Sequence, residues 1–172
     1  MTARLTAIAG GHGGRAAGAR GGHVDIGQDP DDTHVVLADP EGNELCVIEP
    51  TNRFLAGCPR LGAVNCDGTR ALGLFYSEVL GWPLVWDQDE ETVIQAPDGT
   101  GPKITWNGPP LMPGWGRERF HLHLAPAPPA GVQATLDELV VSGATVRDAG
   151  DACPGAIGLA DVDGNPVCLV ER

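Results

Sequence analysis

Lysine is almost missing from this chain: Lys103 stands alone among 172 residues, and 23 acidic side chains outnumber 11 basic ones. A formal net charge of −12 leaves no basic stripe to hold a phosphate backbone or an anionic bilayer, so nucleic-acid and membrane partners are not expected. Long apolar runs are also lacking. Nothing approaches the roughly 18 apolar residues of a membrane-spanning helix, and the start carries no signal-type apolar segment, so the expected location is cytoplasmic. The five cysteines (Cys46, Cys58, Cys66, Cys153, Cys168) are odd in number and show no CxxC spacing. Neither a disulfide framework nor a zinc knuckle is expected from that pattern, and mostly buried thiols are. The chain contains no GxGxxG, Walker-type or GxSxG arrangement, which removes the basis for nucleotide-binding and serine-hydrolase readings. Aromatics make up only 5% of the residues, so Trp82, Trp86, Trp106 and Trp115 stand out.

What is abundant is turn chemistry, with 25 glycines and 15 prolines, pointing to short strands and many reversals. There is also an internal repeat. Laid over 145–172 without a gap, residues 23–50 pair LADPEGNELCVIE with LADVDGNPVCLVE, matching Leu37/Leu159, Ala38/Ala160, Asp39/Asp161, Gly42/Gly164, Asn43/Asn165, Cys46/Cys168 and Glu49/Glu171. Each copy reads as an apolar strand, a turn able to take positive φ, and a second apolar strand.

Between the copies, Leu61–Val64 reads as a strand. Thr69 can cap a helix carrying Leu72, Phe75 and Val79 at helical spacing, and Gly81 ends it. Strands Pro83–Trp86, Thr92–Ala96 and Lys103–Trp106 follow, a βαβββ order. The order then recurs: a strand over Arg119–Ala125, a helix carrying Val132, Leu136, Leu139 and Val140 and closed by Gly143, and strands near 145–148, 156–160 and 166–170. Three organisational units are expected. Residues 1–50 form a truncated module with its last three strands only, where Ala3–Ile8 reads as the end of a helix and Gly10–Gly22 as flexible chain. Residues 51–59 form a linker, and 60–172 one complete domain.

GLFYSEVLGW (73–82), FHLHLAP (120–126) and the two closing hairpins ADPEGNELCV and ADVDGNPVCL resemble, in this order, the glyoxalase/bleomycin-resistance family of the vicinal oxygen chelate superfamily. The likeness is closest to tandem glyoxalase-like proteins with a D-P-x-G-N-x-x-C closing motif. The resemblance implies an α+β fold whose paired βαβββ modules make a curved mixed sheet around a cavity. In metal-dependent members, four strand positions supply His, Gln or Glu to one divalent ion, which leaves open positions for substrate oxygens. Carried over residue by residue, His121 matches the ligand histidine, while Cys168 stands where the glutamate belongs. Leu61–Val64 offers no ligand, and the other carboxylate position falls near Ile104 or Thr105.

The expected reading is therefore a protein that binds a small organic molecule in a cavity, without a standard metal site. Its expected ligand-binding residues are His121, His123, Trp86, Trp106 and Cys168, and no catalytic residue is assigned. Alternation puts His121 and His123 on one strand face. Trp86 and Trp106 read equally as cavity walls and as core, and Cys46 and Cys168 as buried packing thiols. The alternative is a metal-dependent lyase, isomerase or dioxygenase using His121, with a divalent metal as cofactor. The expected partners are the small-molecule ligand and a second copy of the chain, since strands 23–26, 33–37 and 44–49 without an opening strand would present an uncovered edge.

Overall fold

In the computed structural model of the chain, the structure describes residues 3–8 (backbone course only), 22–24, 29, 31, 34–40, 43–49, 52–111, 120–148 and 154–171. Twelve strands and two helices occur among them. The strands are β1 (Ala3–Ile8), β2 (Gly22–His23), β3 (His34–Ala38), β4 (Glu44–Ile48), β5 (Leu61–Cys66), β6 (Leu84–Gln88), β7 (Glu91–Ile94), β8 (Lys103–Trp106), β9 (Leu122–Leu124), β10 (Thr145–Arg147), β11 (Ile157–Ala160) and β12 (Pro166–Leu169). The helices are α1 (Arg70–Leu80) and α2 (Val132–Val141).

These strands fall into three modules of four with one internal order. In each, the opening strand pairs in parallel with the closing strand, and the middle two follow: β2-β3-β4-β1, β6-β7-β8-β5 and β10-β11-β12-β9. The first two modules fuse through their opening strands, β1 antiparallel to β5 with Leu5 opposite Val64, into an eight-stranded sheet. The third module keeps a four-stranded sheet of its own.

This arrangement corrects the expectation for the N-terminus. Ala3–Ile8 is an opening strand, not the end of a helix, and it pairs with β4 through Leu5–Leu45 to Ile8–Ile48. The stretch read as flexible lies outside the described residues except for Gly22, which begins β2. Ala, Arg and Leu in ARLTAI favour a helix locally, but two waiting strand edges override a weak propensity.

The sequence repeat is a structural repeat. In the first copy Val36 pairs with Cys46, and in the second Gly158 pairs with Cys168, both at the 122-residue offset of the alignment. Both turns are held by their leading aspartate. Asp39 accepts hydrogen bonds from the Asn43 amide and side-chain nitrogen, each at 2.8 Å, and Asp161 accepts from the Asn165 amide at 2.9 Å and its side-chain nitrogen at 3.1 Å.

Helix α1 joins the second module to the third. Thr69 caps its start, and Gly81 at φ 62° ends it while its N–H donates to Glu78 O. One face of α1 buries Leu72, Gly73, Phe75 and Tyr76, and at Gly73 the helix rests directly on β7, where an added Cβ would lie 1.9 Å from Thr92 Oγ1. The core runs from these residues through Cys66, Ile94 and Trp106 into Leu124, Leu139, Leu159, Val167 and Leu169 of the third module. Each large side chain buried in this way contributes roughly 1.5–3 kcal/mol. At the rim, Asp163 accepts from the Thr69 amide and hydroxyl at 2.7 and 2.8 Å, and deeper in Tyr76 donates its hydroxyl to the buried Asp161 at 3.1 Å. The expected linker is docked as well, since Leu55 of the 3₁₀ turn Arg53–Leu55 is 1% exposed and lies over Gly62.

Candidate functional site

Leu122 and Leu124 of β9 turn toward the core, so His121, just before the strand, and His123 share the opposite face. In the parallel pairing of β9 with β12, His123 stands opposite Cys168, while Leu122 and Leu124 stand opposite the core residues Val167 and Leu169. His121, His123 and Cys168 are thereby gathered on one face. Their ligand-type atoms all lie within 4.8 Å of one another. The two imidazoles approach Nε2 to Nε2 at 2.8 Å, with ring centroids 4.7 Å apart, so one Nε2 carries the proton that the other accepts. His121 is half-buried, His123 exposed and Cys168 fully buried.

The other expected site residues lie elsewhere. Trp106 is completely buried beneath α1, stacked on Tyr76 at 5.2 Å with ring planes 2° apart, and so packs the core. Its Nε1 and the Thr92 hydroxyl, cross-strand partners in β7 and β8, are buried without a hydrogen-bond partner. Trp86 is 41% exposed on β6, the outer strand of the large sheet, opposite Val93. No interaction joins either tryptophan to the histidines among the described residues. Trp115 lies outside them.

The cysteines depart from the all-thiol expectation. Cys46, Cys58 and Cys66 are thiols, but Cys168 is disulfide-bonded. Spacing along a chain does not report which sulfurs approach in space, and a disulfide needs only about 4–7 Å between Cα atoms. In this state position alone does not make Cys168 a ligand, because its sulfur has no thiolate to offer.

A family model for the glyoxalase-like domain matches residues 63–170, from β5 to just past β12. The chain belongs to that glyoxalase-like family. Its modules share the fold of glyoxalase I from Zea mays, solved as the V278E mutant, to which the chain is similar over 98% of its own length and 66% of that chain, with TM-score 0.59 and 15% identity. A glyoxalase/bleomycin resistance protein/dioxygenase family enzyme from Burkholderia phytofirmans PsJN covers 63% of this chain and 94% of its own at 14% identity, TM-score 0.48. A glyoxalase/bleomycin resistance protein from Albidiferax ferrireducens T118 covers 64% and 94% at 22% identity, TM-score 0.41. Curated proteins give no match. No described helix of this glyoxalase-like chain is long and apolar enough to cross a membrane.

The hard divalent ion implied by the resemblance does not fit the side chains present. On the second module's matching strands, Asn65 and Thr105 hold each other by a 3.0 Å hydrogen bond from the Thr105 hydroxyl to Asn65 Oδ1. The third module supplies two imidazoles and a sulfur, with no carboxylate among them. Hard cations call for oxygen ligands, so this donor set disagrees with such an ion.

Proposed function

We propose that this glyoxalase-like protein binds a small organic molecule on the histidine face of its third module, without a hard-metal centre. The observation that carries the reading is the 2.8 Å Nε2–Nε2 contact between His121 and His123 on a face turned away from the core. Two imidazoles sharing one proton are a ready partner for a carboxylate or carbonyl oxygen, which can displace the ring–ring contact and accept that Nε2–H. The ligand class is therefore a small carboxylate or carbonyl compound. Thermal shift of the full chain against a panel of small carboxylates and α-keto acids, in the presence of a chelator, tests this. The expected result is a rise in melting temperature that disappears in His121→Ala. Stabilisation that persists in His121→Ala, or no stabilisation by any panel member, counts against the assignment.

The same chain is proposed to form a homodimer, for a reason other than the missing strand expected from the sequence. Two of its three opening strands, β1 and β5, pair with each other, whereas β9 pairs only with β12 among the described residues. A second copy's β9 is the equivalent partner.

A further inference from the structure

We infer that Tyr76 is a one-electron redox site, fed through the ring of Trp106 and giving up its phenolic proton to Asp161 as it is oxidised. The site is separate from the histidine face and does not depend on it. Tyr76 is the only tyrosine of the chain and is fully buried. It is stacked on Trp106 with ring centroids 5.2 Å apart and planes 2° from parallel, and its hydroxyl donates to Asp161 Oδ2 at 3.1 Å. Each contact taken alone is ordinary core packing. Together they give one ring both a π partner for an electron and an acceptor for a proton.

The carboxylate is held in place for that exchange. Asp161 Oδ1 accepts from the Asp163 and Asn165 amides at 3.0 and 2.9 Å, which aims Oδ2 at the phenol. Burial pushes the Tyr76 hydroxyl above its ordinary value and the nearby Asp161 charge adds to the shift, so the resting ring keeps its proton. Burial also raises the Asp161 carboxyl, which makes it a stronger base than a solvated carboxylate. Trp106 is arranged in the opposite sense, its Nε1 buried with no hydrogen-bond partner among the described residues. A Trp106 radical cation therefore has no base to take its N–H proton, and it passes its charge to Tyr76, which has one.

The oxidant is a one-electron acceptor of the peroxyl-radical class. Half-buried Trp82 packs against the same core cluster as Trp106 and Tyr76, and it gives the charge an entry from solvent. The peroxyl radical takes one electron and one solvent proton and leaves as a hydroperoxide. Trp106 is restored by an electron from Tyr76, whose O–H bond breaks as the proton moves to Asp161 Oδ2. A neutral phenoxyl radical and a neutral carboxylic acid remain. The step adds no charge to the core, where an isolated one is costly. Cys66 of the same cluster does not compete as a thiolate, because burial pushes its thiol up to about 12.

Flash photolysis of the full chain with a photogenerated ruthenium(III) oxidant tests this, read by transient absorption and by electron paramagnetic resonance of the frozen sample. Because Tyr76 is the only tyrosine, any tyrosyl signal is its own. The expected product is a neutral tyrosyl radical that forms at least twofold more slowly in heavy water, the sign that a proton moves with the electron. Trp106→Phe, which keeps an aromatic ring against Tyr76 but one far harder to oxidise, should slow tyrosyl formation at least tenfold. Asp161→Asn still accepts a hydrogen bond but is a far weaker base, and it should cut the tyrosyl yield at least tenfold and leave a tryptophan radical in its place. If that variant does not fold by circular dichroism, the heavy-water effect in the native chain decides the proton step. Oxidation that stops on tryptophan in the native chain, tyrosyl formation with no heavy-water effect, a rate indifferent to Trp106→Phe, or an unchanged yield in folded Asp161→Asn overturns the inference.

Discussion

Asp161 shows how one side chain serves both a turn and a domain contact. Its carboxylate accepts from the amides of Asp163 and Asn165 within its own hairpin and from the Tyr76 hydroxyl on α1. Tyr76→Phe keeps the stacking on Trp106 but removes that donor, so a loss of about 1–2 kcal/mol is expected in urea unfolding. Burial holds the Asp161 carboxyl above its usual value, and its hydrogen-bond donors oppose that shift without cancelling it. The folded chain thus binds the proton more tightly than the unfolded chain between the unfolded value of 3.8 and the raised folded one. Through that window stability contributed by this group rises as pH falls, opposite to a carboxylate with a lowered pKa. Relative to Asp161→Asn, which cannot take up the proton, the native chain should gain stability as pH is lowered from neutral through the raised folded value toward 3.8; a shrinking difference would contradict the assignment. At this scale the sequence was partly legible. Alternation alone placed His121 and His123 on one face, and the repeat paired Asp39 with Asp161. The depth of Trp106 and the bonded state of Cys168 depend on what α1 and distant segments bring against them, which no local spacing records.

At the scale of the element, α1 was readable because its signals are local: a capping threonine, apolar residues at helical spacing and a closing glycine, which the structure places at φ 62°. The role of Gly73 was not readable, since it depends on β7 passing beneath the helix. Gly73→Ala would drive a Cβ to 1.9 Å from Thr92 Oγ1 and 2.5 Å from Thr92 Cβ, which no rotation of the threonine relieves. A loss of roughly 1–3 kcal/mol is expected from such overpacking, although alanine is the better helix former. Leu74→Ala, one residue on and 37% exposed, should change stability by no more than about 0.5 kcal/mol. Chemical denaturation of both variants checks the contrast, and equal losses would show that α1 is not seated through Gly73. β1 teaches the same lesson from the other side. A six-residue segment of helix-favouring composition becomes a strand because β4 and β5 each present it an edge.

In the whole molecule, an odd number of modules meets a pairing rule that uses them two at a time. β1 and β5 run antiparallel at the centre of the sequence of strands β2-β3-β4-β1-β5-β8-β7-β6, and each half repeats the order found in β10-β11-β12-β9. The Val170 amide donates to Leu124 O at 2.9 Å, so Leu124 directs its backbone groups toward β12, and His123 directs its own outward. Two copies of β9 related by a two-fold axis would satisfy those outward groups and build a second eight-stranded sheet with the order of the first, a closed isologous contact that covers the edge no other described strand pairs with. Light scattering coupled to size-exclusion chromatography should find the full chain dimeric at micromolar concentration. His123→Pro deletes an outward amide without touching the bonds to β12, and it should yield a monomer with the fold retained by circular dichroism. A monomeric native chain would remove the proposal, and a His123→Pro variant that stays dimeric would move the interface away from β9.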